Sequence, residues 1–245
     1  TNDWSLSLNA KSSVDVVYID FRKAFDSVVH SKLLFKLESV GICGKLLLWI
    51  SELLSGRSQV VTVGDSVSSS IDTISGVPQG SVLGPLLFLV FIDDLCDICG
   101  KETQLFADDA KIYMVVDNIV DHDRLQRGLD ELSHWADKWQ LSVSVPKCSV
   151  LHLGSKNSFY NYELNTSCIL PNVSSVVDLG VIIDSKLRFK EQINSLVTKA
   201  HQRACLIMRC FKSREPLLLF RAFCVYVRPL IEYCVPVWSP GYSTD

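Results

Sequence analysis

Leu105-Phe106-Ala107-Asp108-Asp109-Ala110-Lys111-Ile112-Tyr113 sets two adjacent aspartates between apolar, β-prone flanks, Gln104 to Ala107 on one side and Ile112 to Val116 on the other. The pattern predicts strand, tight turn, strand, because Asp tolerates turn geometry and the flanks suit a half-buried pleated surface. A hairpin tip then holds both carboxylates at the edge of a sheet. Two like charges this close repel unless something neutralises them, and a divalent cation does so best. Hard oxygen ligands favour Mg²⁺, which completes its octahedron with water and substrate phosphates. Taken alone, an Asp-Asp pair is more often a solvated turn. The rest of the chain decides between the two.

Toward the N-terminus, Val14-Asp15-Val16-Val17-Tyr18-Ile19-Asp20 is a second β-rich run that ends in an aspartate. Asp20 is therefore expected at the C-terminal end of a strand, where open sheets commonly place ligands. Phe21 to Asp26 follows as a turn into helix. With the hairpin pair, Asp20 makes three carboxylates. That is the ligand set of a two-metal phosphoryl-transfer site, whose ions lie about 3.5–4 Å apart.

The 245 residues suit one large domain or two small ones, and 48% hydrophobic against 21% charged residues makes the chain globular. The longest apolar run, Leu86 to Ile92, is too short to span a bilayer, and the N-terminus has no signal-peptide pattern. Nine cysteines without framework spacing suit a reducing compartment. Cys96-Asp97-Ile98-Cys99 lacks the second pair of a zinc site. The sequons at Asn165 and Asn172 carry no weight without a secretory route. The net charge of −3 hides an asymmetry: residues 186–228 hold ten Lys or Arg against Glu191 and Glu215, whereas residues 1–185 hold fourteen basic against twenty-three acidic. One part is built to meet a polyanion or to be a solvated helix face, and the other to hold cations.

Three stretches together carry a family resemblance. Tyr18-Ile19-Asp20-Phe21-Arg22-Lys23-Ala24-Phe25-Asp26-Ser27-Val28, then Gly76-Val77-Pro78-Gln79-Gly80-Ser81-Val82-Leu83-Gly84-Pro85-Leu86-Leu87-Phe88, then Phe106-Ala107-Asp108-Asp109 resemble, in order, successive motifs of reverse transcriptases. The likeness is strongest to the non-LTR (LINE-type, jockey-like) retrotransposon enzymes and runs from about residue 14 to the C-terminus. It implies an α+β fold: a polymerase palm, its antiparallel sheet backed by helices, followed by a mainly helical thumb. Residues 1–189 would be palm with a remnant of fingers-side elements, and residues 190–245 the thumb-like region.

The implied function is RNA-directed DNA synthesis, with two Mg²⁺ ions (Mn²⁺ as substitute) held by Asp20, Asp108 and Asp109. RNA template, DNA primer and dNTPs would be the partners, with no membrane involved and an intracellular location in nucleus and cytoplasm. The family's fingers precede the Asp20 strand, whereas about thirteen residues do so here, so a fragment without fingers is expected. The alternative is an inactive nucleic-acid-binding remnant.

The resemblance also distributes roles. Gln79 and Gly80 belong to a Gly- and Pro-punctuated loop that lies against the nascent base pair in the family. Phe21 is expected on the substrate side. Phe25 resembles the bulky residue that crowds the 2′ position of an incoming nucleotide, or else is a core phenylalanine. Residues 144–148 read Ser-Val-Pro-Lys-Cys where relatives usually read Asn-x-x-Lys-Cys or Lys-Thr. Lys147 matches the lysine near the incoming triphosphate and is the candidate general acid to pyrophosphate, while Ser144 and Pro146 depart from the pattern. Val177 to Asp184 with Leu187-Arg188-Phe189 resembles the hairpin that steadies the primer end. Lys199 and Arg203 are the expected duplex contacts of the thumb, and Arg188 in the primer-end hairpin is a further expected nucleic-acid contact. Arg57 is either a template-phosphate contact or plain surface.

Periodicity fills in the remainder. Leu33, Leu34, Leu37 and Val40 mark a helix stopped by Gly41, and Lys45 to Leu54 a second one with Trp49 in the core. Gly56 to Gly64 reads as a strand entering a hairpin, and Ser81 to Ile92 as a buried helix with Pro85 in its first turn. Asp93-Asp94, at the end of that helix, point about 100° apart and are read as structural or surface residues rather than ligands. Residues 121–141 form an amphipathic helix with Leu125, Leu129, Leu132, Ala136 and Trp139 inward. A strand follows at Ser149 to Leu153. From Ile193 to Ile207 helical spacing returns, and Leu217 to Trp238 continues that layer.

Overall fold

A computed structural model describes residues 2–100, 102–164 and 168–239. The Asn165 sequon and residues 240–245 of the expected thumb region lie outside these. In chain order, helix α1 (Asn2–Asn9) leads into β1 (Ser13–Ile19), and α2 (Ala24–Ser27), α3 (His30–Ser39) and α4 (Gly44–Leu54) follow. Next come two nested small ladders, β2 (Ser58–Gln59) with β5 (Ile71–Asp72) enclosing β3 (Thr62–Val63) with β4 (Ser66–Val67). Helices α5 (Leu83–Ile92) and α6 (Leu95–Cys99) precede the hairpin β6 (Thr103–Phe106) and β7 (Asp109–Val116). The long α7 (Ile119–Trp139) starts at a capping box between Asn118 and Asp121, and a 3₁₀ turn (Val145–Lys147) opens β8 (Ser149–Leu153). Short strands β9 (Glu163–Leu164), β10 (Cys168–Ile169) and β11 (Asn172–Val173) lead to the hairpin β12 (Ser175–Asp178) and β13 (Val181–Asp184). The chain closes with α8 (Lys190–Cys210), α9 (Pro216–Tyr226), α10 (Arg228–Glu232) and α11 (Val235–Trp238). No helix among the described residues is long and apolar enough to cross a membrane.

The five-stranded sheet runs β11-β8-β1-β7-β6 and is antiparallel except where β11 joins β8 in parallel. Its centre is β1, buried on both faces, which is why Val14 to Ile19 is a nearly continuous apolar run. Alternation sends Val17 and Ile19 to one face, against α5 and α7, and Val14 and Val16 to the other, against Trp4 of α1 and Val181 and Ile183 of β13. Leu125, Leu129, Leu132, Ala136 and Trp139 all face inward, as their spacing predicts.

A carboxylate sits inside this core. Asp15, fully buried on β1, accepts from Tyr162 Oη (2.6 Å) and Asn157 Nδ2 (2.6 Å) and pairs with His152 Nδ1 (2.6 Å), while His122 Nδ1 lies 3.3 Å away. Burial alone would raise its pKa, but the hydrogen bonds from His152, Tyr162 and Asn157 outweigh it and hold the carboxyl below its usual value. Asp94 is also structural: it accepts from Lys36 Nζ and from Trp135 Nε1 (2.8 Å), and Asp93 is exposed.

Three expectations need correction. Trp49 is 51% exposed, because α4 buries only the face carrying Ile50 and Leu54. The helix at Ser81 to Ile92 begins at Leu83 and buries one face only, leaving Leu86 and Leu89 in solvent. The strand expected over Gly56 to Gly64 breaks at Val60-Val61 into β2 and β3. The terminal helices share only a small core of Ile207, Ala222 and Val227, and α8 offers most of its length, including Lys199 and Arg203, to solvent.

Candidate active site

The β6–β7 hairpin turns as its sequence predicts. Phe106 pairs with Asp109, so Ala107 and Asp108 form the tip, and Asp109 is the first residue of β7. Ala107 sits at φ 54°, a left-handed conformation that alanine seldom adopts and that stores strain at the tip. Asp20 directly follows β1, whose Ile19 is paired with Ala110 next to Asp109. Its backbone is held from both sides by the segment before β8: Ser144 N donates to Asp20 O (2.7 Å), and Asp20 N donates to Cys148 Sγ (3.5 Å). The side chain is left unused by the fold. Asp20 Oδ1 is buried without a hydrogen-bond partner, and Lys147 Nζ stands 3.3 Å away, at ion-pair distance without hydrogen-bond alignment.

Strand alternation puts Tyr18, Asp20, Asp109 and Lys111 on one face of the sheet, and the β12–β13 hairpin lies over them. Between them is a cavity of about 480 Å³ bordered by Asp20, Asp109, Lys147, Lys111, Tyr18 and Asp178. Lys111 Nζ contacts Asp178 Oδ2 at 2.6 Å, and Tyr18 Oη donates to the same oxygen at 3.3 Å. Burial, with the Asp178 charge beside it, pushes the Tyr18 hydroxyl well above its ordinary pKa. Asp109 is raised as well, first by burial and then by Asp108, Asp178 and Asp20, with Lys111 opposing. These carboxylates repel one another, and the cavity is charged for a cation.

The reverse transcriptase (RNA-dependent DNA polymerase) profile matches residues 5–196, a span holding Asp20, Asp108, Asp109 and Lys147. The chain belongs to the reverse transcriptase family. It is 31% identical, over 97% of its length, to the RNA-directed DNA polymerase from mobile element jockey of Drosophila funebris, covering 27% of that protein. It is 25% identical over 94% of its length to a probable RNA-directed DNA polymerase from transposon X-element of Drosophila melanogaster, covering 26% of it. The chain thus spans about a quarter of the curated relatives it matches. A truncated apo telomerase from Candida tropicalis shares the fold, with TM-score 0.51 and 12% identity over 75% of this chain and 36% of that one.

Within this reverse transcriptase fold the expected residues separate. Asp20, Asp109 and Lys147 border one cavity, and Asp108 is exposed beside it at the hairpin tip. Phe21 does not face it: alternation carries its ring, 4% exposed, to the Val17 and Ile19 side, where it packs on Trp135. Phe25 is half-buried and stacked on Phe88, ring centroids 4.5 Å apart. Gln79 is exposed and donates to Asp26 Oδ1 (2.7 Å), with Gly80 beside it; neither borders the cavity. Gly76 brings their loop in, since a Cβ there would lie 2.8 Å from Asp26 Cα. Arg57 is half-buried, with Nη1 lacking a hydrogen-bond partner, and Arg188 is exposed in the turn before α8.

Sequence reasoning missed Tyr18, Lys111, Asp178 and Cys148. Lys111 was within reach of the period-2 rule, standing two residues beyond Asp109 on the same face. Asp178 was not, because its contact with Lys111 spans 67 residues.

Proposed function

We propose that this chain is the palm and thumb part of an RNA-directed DNA polymerase of a non-LTR retrotransposon, extending a primer 3′-hydroxyl with dNTPs on an RNA template. The observation that carries the reading is the convergence of Asp20, Asp109 and Lys147 on one cavity in a reverse transcriptase chain. Residues 1–189 serve as palm and residues 190–245 as thumb, acting in nucleus and cytoplasm.

Among the described residues no three His, Cys, Asp or Glu side chains converge into a ready metal cage. The donors nevertheless suit Mg²⁺, which takes few protein ligands and completes its shell with water and substrate phosphates. Asp20 Oδ1, which lacks a hydrogen-bond partner, and the raised pKa of Asp109 both suit a hard cation. Asp20, Asp108 and Asp109 would hold two Mg²⁺ or Mn²⁺ ions, which when bound stabilise charge on the attacking and leaving oxygens.

The protein's own part is placement. Lys147, exposed and next to Asp20, is positioned to give a proton to the departing pyrophosphate. The hairpin held by Lys111 and Asp178 confines the primer end, Gln79 and Gly80 approach the nascent pair, and Phe25 discriminates the sugar. Arg57 contacts template phosphate, while Arg188, Lys199 and Arg203 contact the duplex backbone, which fixes register without reading sequence. Phosphoryl transfer leaves little covalent chemistry to the protein, so such positioning dominates.

Primer extension on an RNA template, with wild type and Asp20→Asn side by side, tests this. Mg²⁺-dependent incorporation abolished in the variant is the expected result. Extension undiminished by Asp20→Asn refutes the assignment, and duplex binding without any turnover assigns the chain instead to the inactive class.

A further inference from the structure

The sheet has a second functional-looking end. Lys11, in the turn before β1, meets Lys156 and Phe159 from the loop after β8, and Lys186 and Arg188 from the turn between β13 and α8. They border a cleft of about 710 Å³ with His152 at its floor. Seven residues of extended chain separate Ser13 from Asp20, so this cleft lies roughly 23 Å from the aspartate end. We propose that it is an accessory site for a single-stranded polynucleotide, with Lys11, Lys156 and Lys186 on its phosphates and Phe159 stacked on a base.

Charge is the first support. No Asp or Glu borders the cleft, and among the described residues none of the four cations is in an ion pair. The carboxylate of the same turn, Asp184, is taken up by backbone: Oδ1 accepts from Lys186 N (2.9 Å), and Oδ2 from Arg188 N (3.0 Å) and Phe189 N (2.7 Å). That cap orders the turn that presents Lys186 and Arg188. In a chain of pI about 5.9, a cleft lined by cations that make no ion pair among the described residues is suited to a polyanion. Gly154 permits the close approach of the walls, since a Cβ there would lie 2.9 Å from Ser13 Oγ.

Phe159 is the second, independent support. Its ring is 62% exposed, and its backbone sits at φ 53°, in the left-handed region. Both features cost free energy, and the surroundings impose the second: Asn157, itself tied to buried Asp15, accepts the Phe159 N–H at 2.8 Å. The ring stands edge-on to His152, with centroids 5.3 Å apart. An exposed aromatic held inside a basic groove is the combination by which proteins hold single strands: the groove follows the backbone and the ring stacks any base. Mixed base identity is tolerated, so the class is a single strand of RNA or DNA.

The test uses the full chain in Mg²⁺-free buffer, with fluorescein-labelled oligouridylate and oligothymidylate read by anisotropy across a salt series. Phe159→Ala should weaken binding about tenfold and leave the salt slope unchanged, while Phe159→Trp retains affinity. Lys11→Gln with Lys156→Gln should lower the slope of log K against log salt by about 1.4, two single-strand phosphate contacts' worth. The tighter of the two oligonucleotides identifies the source, RNA or DNA. Unchanged affinity and slope in both sets of variants overturn the proposal. So does displacement by inorganic phosphate with Phe159→Ala silent, which means a plain anion site, or equal displacement by polyglutamate, which means an acidic protein. All these positions are exposed, and matched melting curves check that the variants fold.

Discussion

Lys111 Nζ lies 2.6 Å from Asp178 Oδ2, and this contact joins the central sheet to the β12–β13 hairpin. Lys111 is two residues along β7 from Asp109, so one ammonium both opposes the rise in Asp109's pKa and fastens the roof of the cavity above it. Both side chains are mostly buried, so removing one partner strands the other. Asp178→Asn and Lys111→Met should each cost about 3 kcal/mol in urea unfolding. The double variant should lose less than the sum, with a coupling of about 1 kcal/mol or more. Strict additivity would reject the clasp.

Asp15 makes the stability of the fold depend on pH in the acid range. Its folded-state pKa lies below its ordinary value of 3.8, so its contribution is fully present above that value and disappears as pH falls through the lower folded-state pKa. Wild type should therefore lose stability steeply below about pH 4. Asp15→Asn should be less stable at neutral pH, since it gives up the charged acceptor of Tyr162 and Asn157, and flatter over the acid range. Urea midpoints from pH 6 downward read this; parallel curves for the two proteins contradict it.

The fold was legible where local pattern and burial agree. The period-3.6 stripe of α7, the hairpin at Asp108-Asp109 and the β1 run ending at Asp20 each state their partner face in the sequence. Trp49 misled because a helix on the rim of the fold buries only part of its apolar surface, and spacing does not say how much. Phe21 was assigned by its place in a motif, while pleat alternation, which Asp20 obeys, turns its ring inward. Lys111 with Asp178, and Asp15 with His152, Asn157 and Tyr162, depend on chain segments far apart in sequence, and no local pattern encodes such meetings. The small core shared by Ile207, Ala222 and Val227 shows that helical spacing in the terminal region fixed the elements but not how much of them is buried.

Phe25 stacks on Phe88 and is only partly exposed, so its proposed role in sugar choice has to be separated from its packing. Phe25→Val keeps part of the packing and should cost about 1–2 kcal/mol, below a full Phe→Ala truncation. It should also admit ribonucleotides, because excluding a 2′-hydroxyl depends on the bulk of the ring. The ratio of dNTP to rNTP incorporation measures this. A variant that loses stability but keeps its discrimination would make Phe25 a core residue and nothing more.

Asp109 offers a test of the metal that needs no turnover. Its pKa is raised by burial and by Asp108, Asp178 and Asp20, so its stabilising contribution exists below its unfolded value and is lost as pH rises through the folded one. At neutral pH, without divalent ions, the ionised group therefore works against the fold, and Asp109→Asn should melt higher than wild type. Added Mg²⁺ reverses the order. It binds the folded carboxylates, and mass action at ten times its Kd stabilises wild type by about 1.4 kcal/mol. Asp109→Asn, with one anionic ligand fewer, should gain little, whereas Asp93→Asn, an exposed carboxylate outside the cavity, should respond as wild type does. Thermal melts with and without Mg²⁺ decide the matter. An equal Mg²⁺ shift in wild type and Asp109→Asn would place the ion elsewhere, and a lower melting temperature for Asp109→Asn in its absence would show that the carboxylates are not in mutual repulsion.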